Sequence, residues 1–544
     1  MRYVVAGLLI TLGVIVGAVG ILQKTLWSPD DRITAAVTLD DPGPLVVVEP
    51  GVLNLYQTPA TLTVTGEGEL SISQASKESI DAWVGETSHT VITGLADEST
   101  LAAEKVDGEP RAPNPAGGDL FEGQVSGEVE VTLDWDSEPA RSTFLIASDG
   151  EAPAASTVRI SWPNSAGTPW AVPLMIVGGV LIVLGGLLGF RDYRRGRQDR
   201  QRREARQARR RKLAETGAAF AIVPVVALAG CGGPDLPTAQ PSDPPESAPP
   251  AVTESQLERI VGEISTTVAA ADAETDAEAL EARAAGPFLS QRQGAYEVKR
   301  ADEDYTLPPA VAAESLQLNF ASATDQWPRV TTAVTSDSEA GQTQLLVLSQ
   351  EDPRAAYRLW DQTVLMPGAE IPEVPDARQG APLLAPDQEG LLKTPQDTVK
   401  QYADVLQHGA DSRFADSFTD DPFRQRTAEA QKRQRDALAE GNAEVEFAYS
   451  AEGNELVAQQ TADGGAVVTG LINVTTTISP ESVDGRTGKL SIPRPQSRVV
   501  DQSETSKKLV TRNQQVVSFT VPPGSEGQVA LIGATDVITG AELE

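Results

Sequence analysis

The sequence predicts a multidomain membrane protein. It has two transmembrane helices, an all-β, sandwich-like ectodomain, and an α+β C-terminal region made of two helix-on-curved-sheet domains. Three observations carry this reading. Two stretches of 20 and 21 residues hold no charge. The region between them alternates apolar and polar residues with period two. The C-terminal half shows helical periodicity followed by strands, twice over.

The charge-free stretches are residues 3–22 and 170–190. At 1.5 Å per residue each spans about 30 Å, the thickness of a bilayer hydrocarbon core. Arg2 is the only charge before the first, and Gln23-Lys24-Thr25-Leu26 follows it instead of a small-residue cleavage site. Residues 1–27 therefore read as an uncleaved anchor, not a removed signal peptide. Gly13 and Gly17 in the first span, and Gly185 and Gly189 in the second, are small-xxx-small pairs that let helix backbones approach closely.

Orientation follows from residues 191–216, where 191–212 carries 11 Arg and one Lys against three acids. Arg194, Arg195, Arg197, Arg209, Arg210 and Arg211 are the core of this run, and such density beside a span stays in the cytoplasm. An anionic-lipid or nucleic-acid patch is the alternative reading. Topology explains the run without it. Residues 28–168 are then extracytoplasmic. The whole chain carries −33, so outside the run it is more acidic still. That bulk repels nucleic acid, which is excluded as a partner of the exported parts.

After the basic run, residues 217–230 read GAAFAIVPVVALAG and lead into Cys231-Gly232-Gly233. Fourteen apolar residues match the h-region of a secretory signal. Leu228-Ala229-Gly230-Cys231 resembles the lipobox of bacterial lipoproteins. The resemblance implies diacylglycerol on the Cys231 thiol and signal-peptidase cleavage before it. No other cofactor is expected. Cys231 is also the sole cysteine, so no intramolecular disulfide forms. One departure stands: lipoprotein signals begin a chain, and this one begins near residue 213. Cleavage yields a two-span protein and a lipoprotein. Without cleavage, 217–231 is a third short anchor. In both cases the chain after Cys231 lies outside, giving a multi-pass membrane protein with most of its mass extracytoplasmic.

In the ectodomain, strands are expected at 33–39, 44–48, 60–65, 70–73, 90–93, 128–135, 143–147 and 157–162, with a helical insert at 76–84. Gly66-Glu67-Gly68-Glu69 reads as a turn, and 97–116 as an irregular excursion. Many short strands between Gly and Pro suggest a sandwich. Residues 232–252 form a proline-rich, extended tether. Residues 253–388 open with a helix, Ser255 and Glu258 forming a candidate capping box. Helices over 276–285 and 287–296 and strands at 316–320, 330–335, 344–349 and 356–366 follow. Residues 389–544 repeat the order. Thr394-Pro395 opens a helix. Helices at 412–418 and 422–440 precede strands at 445–449, 456–460, 466–478, 516–521 and 528–534. This element order resembles tandem cystatin-like domains of the nuclear-transport-factor-2 type, which implies helices across a curved sheet enclosing a cone-shaped pocket. The Ala/Asp/Glu/Arg-rich texture, the Leu228–Cys231 box and the helix-then-sheet ectodomain together resemble uncharacterised membrane-anchored lipoproteins of actinobacteria.

The search for chemistry nominates no catalytic residue and no metal ligand set. With only His89 and His408, a His-rich metal site is excluded. Residues 485–490 end like a phosphate loop, but Val483 and Leu490 stand where glycine and a hydroxyl are needed. Asp416, Asp420 and Asp421 cluster, although Asp421-Pro422 reads as a helix start. Asp302-Glu303-Asp304 reads as a solvated charge run, and His408 as a helix C-terminal residue favoured by the dipole. The leading expectation is a non-catalytic envelope lipoprotein with a binding or scaffold role. Its partners are the bilayer and an envelope protein or small apolar ligand. The alternatives are an enzyme acting on cell-wall carbohydrate through paired carboxylates such as Asp416 and Asp420, and an assembly factor docking another membrane protein through the Gly13/Gly17 face.

Overall fold

The computed structural model describes residues 2–203, 236–239 and 250–544, except 57–58, 137–140, 165–166, 339–340, 374, 376–379, 441–442, 454 and 484–485. Leu228, Ala229, Gly230 and Cys231, and Arg209, Arg210 and Arg211, lie outside the described residues, as does most of the tether.

Two long apolar helices, α1 (Arg2–Thr25) and α3 (Ala171–Arg203), flank the β-rich region, with the short α2 (Lys77–Val84) between them. Within them Val4–Thr25 and Ala171–Arg191 have mean hydropathies of 2.6 and 2.5, long and apolar enough to cross a membrane. The helices pack antiparallel: Gly20 lies against Ala171 and Met175, Gly13 against Gly178 and Ile182, and Gly185 against Ile10. A Cβ on Gly178 would sit 2.6 Å from Gly17 N, so the backbones meet where no side chain intervenes. Gly13 and Gly17 thus act as expected, but their partner is Gly178. Gly189 only touches Ala6. Beyond the apolar stretch α3 continues through Arg194, Arg195 and Arg197, with the Arg194 guanidinium 4.9 Å over the Phe190 ring.

The β-rich region contains β1 (Arg32–Thr38), β2 (Leu45–Val48), β3 (Ala60–Ser76), β4 (His89–Asp97), β5 (Thr100–Val106), β6 (Gly123–Trp135), β7 (Ser142–Ala147) and β8 (Thr157–Pro163). They form a closed barrel where a sandwich was expected. The reason is β3. It runs 17 residues, pairing with β8 through Thr61–Thr65 and with β7 through Ser71–Ser76. Both ends of the sequence β7-β2-β4-β5-β1-β8 therefore meet one strand, and seven strands close, with β6 pairing along β3. The barrel is mixed because β1–β5 and β2–β4 are parallel. The expected turn at residues 66–69 is instead a register break inside β3, where Gly68 adopts φ +76°. The expected irregular excursion contains β5, whose outer half is exposed and polar and so lacks an apolar signal.

In the C-terminal region, α4 (Glu254–Glu274), α5 (Ala277–Leu280) and α6 (Gly286–Ala301) precede β9 (Ser315–Ala321), β10 (Arg329–Asp337), β11 (Gln342–Gln350) and β12 (Arg358–Leu365). The capping box of α4 is Thr253 with Gln256, two residues before the expected pair, because Thr253 is the last extended residue. Leu257, Ile260, Val261, Ile264 and Val268 form the buried stripe, as expected. Next come α7 (Pro395–His408), α8 (Pro422–Glu440), β13 (Ala443–Ser450), β14 (Leu456–Gln460), β15 (Ala466–Pro480), β16 (Leu509–Val521) and β17 (Ala530–Leu543). Thr394 caps α7 through Asp397 N, with Pro395 at the first position. The expected helix at 412–418 is reduced to a 3₁₀ turn, Ala415–Ser417.

The two halves are joined. One antiparallel sheet runs β13-β15-β16-β17-β12-β11-β10-β9, with β14 also on β15. The seam is β12–β17, where Val364 faces Ala534 and Leu365 faces Gly533. A buried hydroxyl row backs it: Ser518 Oγ lies 2.9 Å from both Thr363 Oγ1 and Thr469 Oγ1. Helix α6 lies across the seam. Its Gln291 Nε2 donates to Gln514 O at 3.1 Å, and a Cβ on Gly294 would sit 2.6 Å from Thr539 Cβ.

The barrel is docked on this region through Asp119, whose side chain is 0% exposed. Asp119 pairs with Arg283 and, at 3.3 Å, with Arg259, and accepts from Tyr357 N at 2.7 Å.

Two outcomes follow. Gly178→Leu forces α1 and α3 apart and costs about 1–3 kcal/mol by overpacking, read as a lower Tm of the detergent-purified protein. Asp361 on β12 is fully buried, accepts from Gln362 N at 2.7 Å through Oδ1, and has no partner for Oδ2 among the described residues. Burial pushes its carboxyl well above the usual range. The folded state therefore holds this proton more tightly than the unfolded chain. The resulting stability is present below the unfolded pKa of about 3.9 and is lost as pH rises through the folded value. Asp361→Asn flattens that fall in a Tm-against-pH series.

Candidate functional site

A cavity of about 520 Å³ lies between α8 and the concave face of β13, β15, β16 and β17. Strand alternation builds its floor. On β13, Phe447 and Tyr449 point inward while Glu444 and Glu446 point to solvent. Register carries the same face across the sheet: Tyr449 faces Val474, Val474 faces Asn513, and Asn513 faces Ile538. One step along, Gln515 faces Asp536. From above, α8 contributes Phe423, Arg426, Thr427, Ala430, Gln431 and Gln434. Gln431 fixes the helix to the floor, its Nε2 donating to Tyr449 Oη at 2.9 Å and Leu406 O at 3.0 Å. Arg435 stacks 5.0 Å over the Phe447 ring.

The polar centre is Asp536. Asn513 Nδ2 donates to it at 2.9 Å and Gln515 Nε2 at 3.2 Å. Its side chain reaches the cavity solvent, yet protein surrounds it closely. That crowding raises its pKa, and the two amide donors oppose the rise. Burial likewise raises Tyr449 and Tyr305, and the Asp536 charge adds to the rise of both. Gln515 is 3% exposed, and its Oε1 is a buried acceptor without a partner among the described residues. Phe423, Val474, Ile478 and Leu509 supply apolar wall. The site thus offers one carboxylate, Asp536, between polar side chains of α8 and the sheet and a partial apolar wall.

The sequence-nominated residues fall elsewhere. Asp421 is buried, accepts from Tyr402 Oη at 3.0 Å and caps α8 through Arg424 N at 2.7 Å, the helix-start role expected for it. Asp420 accepts from Gln425 Nε2 at 2.7 Å. Both line a second cavity of about 610 Å³ with Glu370, Glu373 and Asp463; Asp416 does not. Asp463 closes a local turn, accepting from Gly465 N at 3.1 Å. Asp302 is no solvated residue: it is buried and held bidentately by Arg494, which also meets Asp304 at 3.0 Å. His408 ends α7, with Nδ1 3.0 Å from Asp404 Oδ1. His89 Nδ1 lies 2.7 Å from Thr87 O. Among the described residues no three His, Cys, Asp or Glu side chains gather as a metal site. Asn513, Gln515 and Asp536 were missed because the expected strands began at 516 and ended at 534. The polar run Arg512-Asn513-Gln514-Gln515 resembles a loop unless the register to β15 is known.

Residues 248–542 match the family model described as Domain of unknown function (DUF8094), which spans more than half of the chain. The chain belongs to this family. No curated protein and no solved structure matches it. The DUF8094 match takes in both helix-and-meander halves, the seam and the cavity as one unit.

Proposed function

We propose that this DUF8094 protein is a membrane-anchored lipoprotein of the cell envelope whose C-terminal region binds a small amphipathic ligand without transforming it. The cavity under α8 carries the binding reading. Asp536 is an acceptor that reaches the cavity, so it favours a ligand group that donates, a hydroxyl or an amine. Phe447, Val474 and Ile478 favour an apolar flank beside it. This narrows the expectation of an apolar ligand to an amphipathic one. Helices over a concave sheet also fit the resemblance to cystatin-like domains of the nuclear-transport-factor-2 type. A carbohydrate-cleaving enzyme needs two acids facing one bond; Asp416 does not share the cavity of Asp420, and of the acids that do, Asp421 caps α8, Asp463 closes a local turn and Asp420 is bonded to Gln425. The assembly-factor reading used the Gly13/Gly17 face, against which α3 packs.

The contacts between segments support the envelope address. Antiparallel α1 and α3 bring both ends of the barrel region to one face of the bilayer. The barrel docks on the DUF8094 region, so the two share a compartment. A chain that has crossed through α3 must then return before residue 250, and 217–230 is the apolar run available for it. Ala239, eight residues past Cys231, packs against the barrel core. The arginine-rich loop argues that this side is extracytoplasmic, as in the actinobacterial lipoproteins the sequence resembles.

The binding reading is tested with 1-aminoanthracene, an amine on an apolar ring system, followed by its fluorescence. Saturable binding is expected, about tenfold weaker or more in Asp536→Leu, as loss of a charge-assisted hydrogen bond implies. Equal binding by the parent and Asp536→Leu refutes the site. The address is tested by labelling cells with radioactive palmitate, with tags at both chain ends. The parent chain takes up label and Cys231→Ala does not. Two identical unlabelled full-length bands refute the lipobox.

A further inference from the structure

We infer that the contact between the barrel and the DUF8094 region is a protein–protein interface in its own right, holding residues 1–203 and 250–544 together after the connection between them is cut. Combined with the lipoprotein reading, on which this consequence rests, cleavage before Cys231 gives a complex of a two-span barrel subunit and a lipidated subunit.

The interface is chemically one-sided. The barrel region presents acceptors and the DUF8094 region presents donors. Asp119, without exposed side-chain surface, takes Arg283 and Arg259 together with Tyr357 N. Gln256 Nε2 donates to Leu120 O at 3.0 Å and Asp119 O at 3.3 Å. Arg354 closes the C-terminal end of α2, donating to Trp83 O at 2.8 Å, Val84 O at 3.0 Å and Thr87 Oγ1 at 2.8 Å. Carbonyls at a helix end lack intrahelical partners, and here a cation from another element supplies donors, with Val84 O also accepting from Thr87 N at 3.1 Å. Arg329 Nη2 donates to Ser79 Oγ at 3.1 Å from the N-terminal turn of the same helix.

The apolar centre has the composition of a binding hot spot. Trp327 of the DUF8094 region packs into the barrel-side cluster of Ile80, Trp83, Leu120 and Phe121. The Arg329 guanidinium sits 3.9 Å over the Trp327 ring, and Arg354 sits 5.2 Å over Trp83. Trp83 and Arg329 are buried, Trp327 is half-buried and Arg354 is exposed at the edge; buried Trp and Arg flanked by paired charges are what specific interfaces concentrate at their middle. None of these contacts involves the connection at 204–249. A connection of this kind raises the effective concentration of the two parts, and none of the contacts named here depends on it.

The test uses the full chain with a protease recognition sequence placed within residues 240–249, purified in detergent and cut. After dilution to about 100 nM, a concentration at which tight specific interfaces persist, the two pieces are expected to co-elute in gel filtration. Separation there overturns the inference. In the same chain, Asp119→Ala leaves two arginines without their acid and is expected to weaken the cut complex roughly 100-fold or more. Co-elution as tight as the parent's overturns the assignment to this interface. Should Asp119→Ala fail to fold, Arg354→Ala replaces it, removing three hydrogen bonds from α2. Native processing is scored separately, by the size of the uncut, unmodified chain in cells. A failure of cleavage and a failure of docking therefore give different results.

Discussion

Asp119 sets the terms for the arrangement of the whole molecule. A carboxylate with no exposed surface is tolerated only where cations and amides replace its lost hydration. It is supplied by a loop of the barrel, whereas Arg259, Arg283 and the Tyr357 amide come from α4, the segment before α6 and the start of β12. Neither part satisfies this group alone. The need to pair it keeps the barrel on the DUF8094 region.

A second constraint runs through the C-terminal region, where polar residues occupy strand interiors. Asn513 and Gln515 sit on β16 with cavity on one side, and Thr469, Thr363 and Ser518 form a hydroxyl row at the seam. For Asn513, Gln515 and Thr469 the neighbouring strand supplies the partner, and Thr363 reaches Ser518 over Gly533 of β17, so the polarity costs little once the register is made. The exception is Gln515 Oε1, left without a partner at the floor of the cavity. Asp361 Oδ2 on β12 is likewise without a partner among the described residues.

Much of this was legible in the sequence. The apolar spans, the stripe on α4, the Thr394-Pro395 helix start and the full length of α8 follow local rules of hydrophobic period and capping. What was not legible depends on partners distant in sequence. The barrel closes because β3 is long enough to serve both β7 and β8, and the break at Gly68 looks like a turn until those pairings exist. Asp302 reads as solvated beside Glu303 and Asp304, yet it is buried by Arg494, nearly two hundred residues away. For the same reason the candidate site was largely hidden. Asp536 gains its meaning from Gln515 and Asn513 across a strand pair.

The seam between β12 and β17 also bears on how the protein avoids sticking to its own kind. Each helix-and-meander half, taken alone, would expose the edge of β12 or β17, a row of unpaired amides open to any passing strand. Joining them at Val364–Ala534 and Leu365–Gly533 turns both edges inward. Helix α6 lies over the rest, with Gly286 against Trp360 of β12 and Gly294 against Thr539 of β17. The fused sheet is thereby a built-in safeguard against edge-to-edge aggregation.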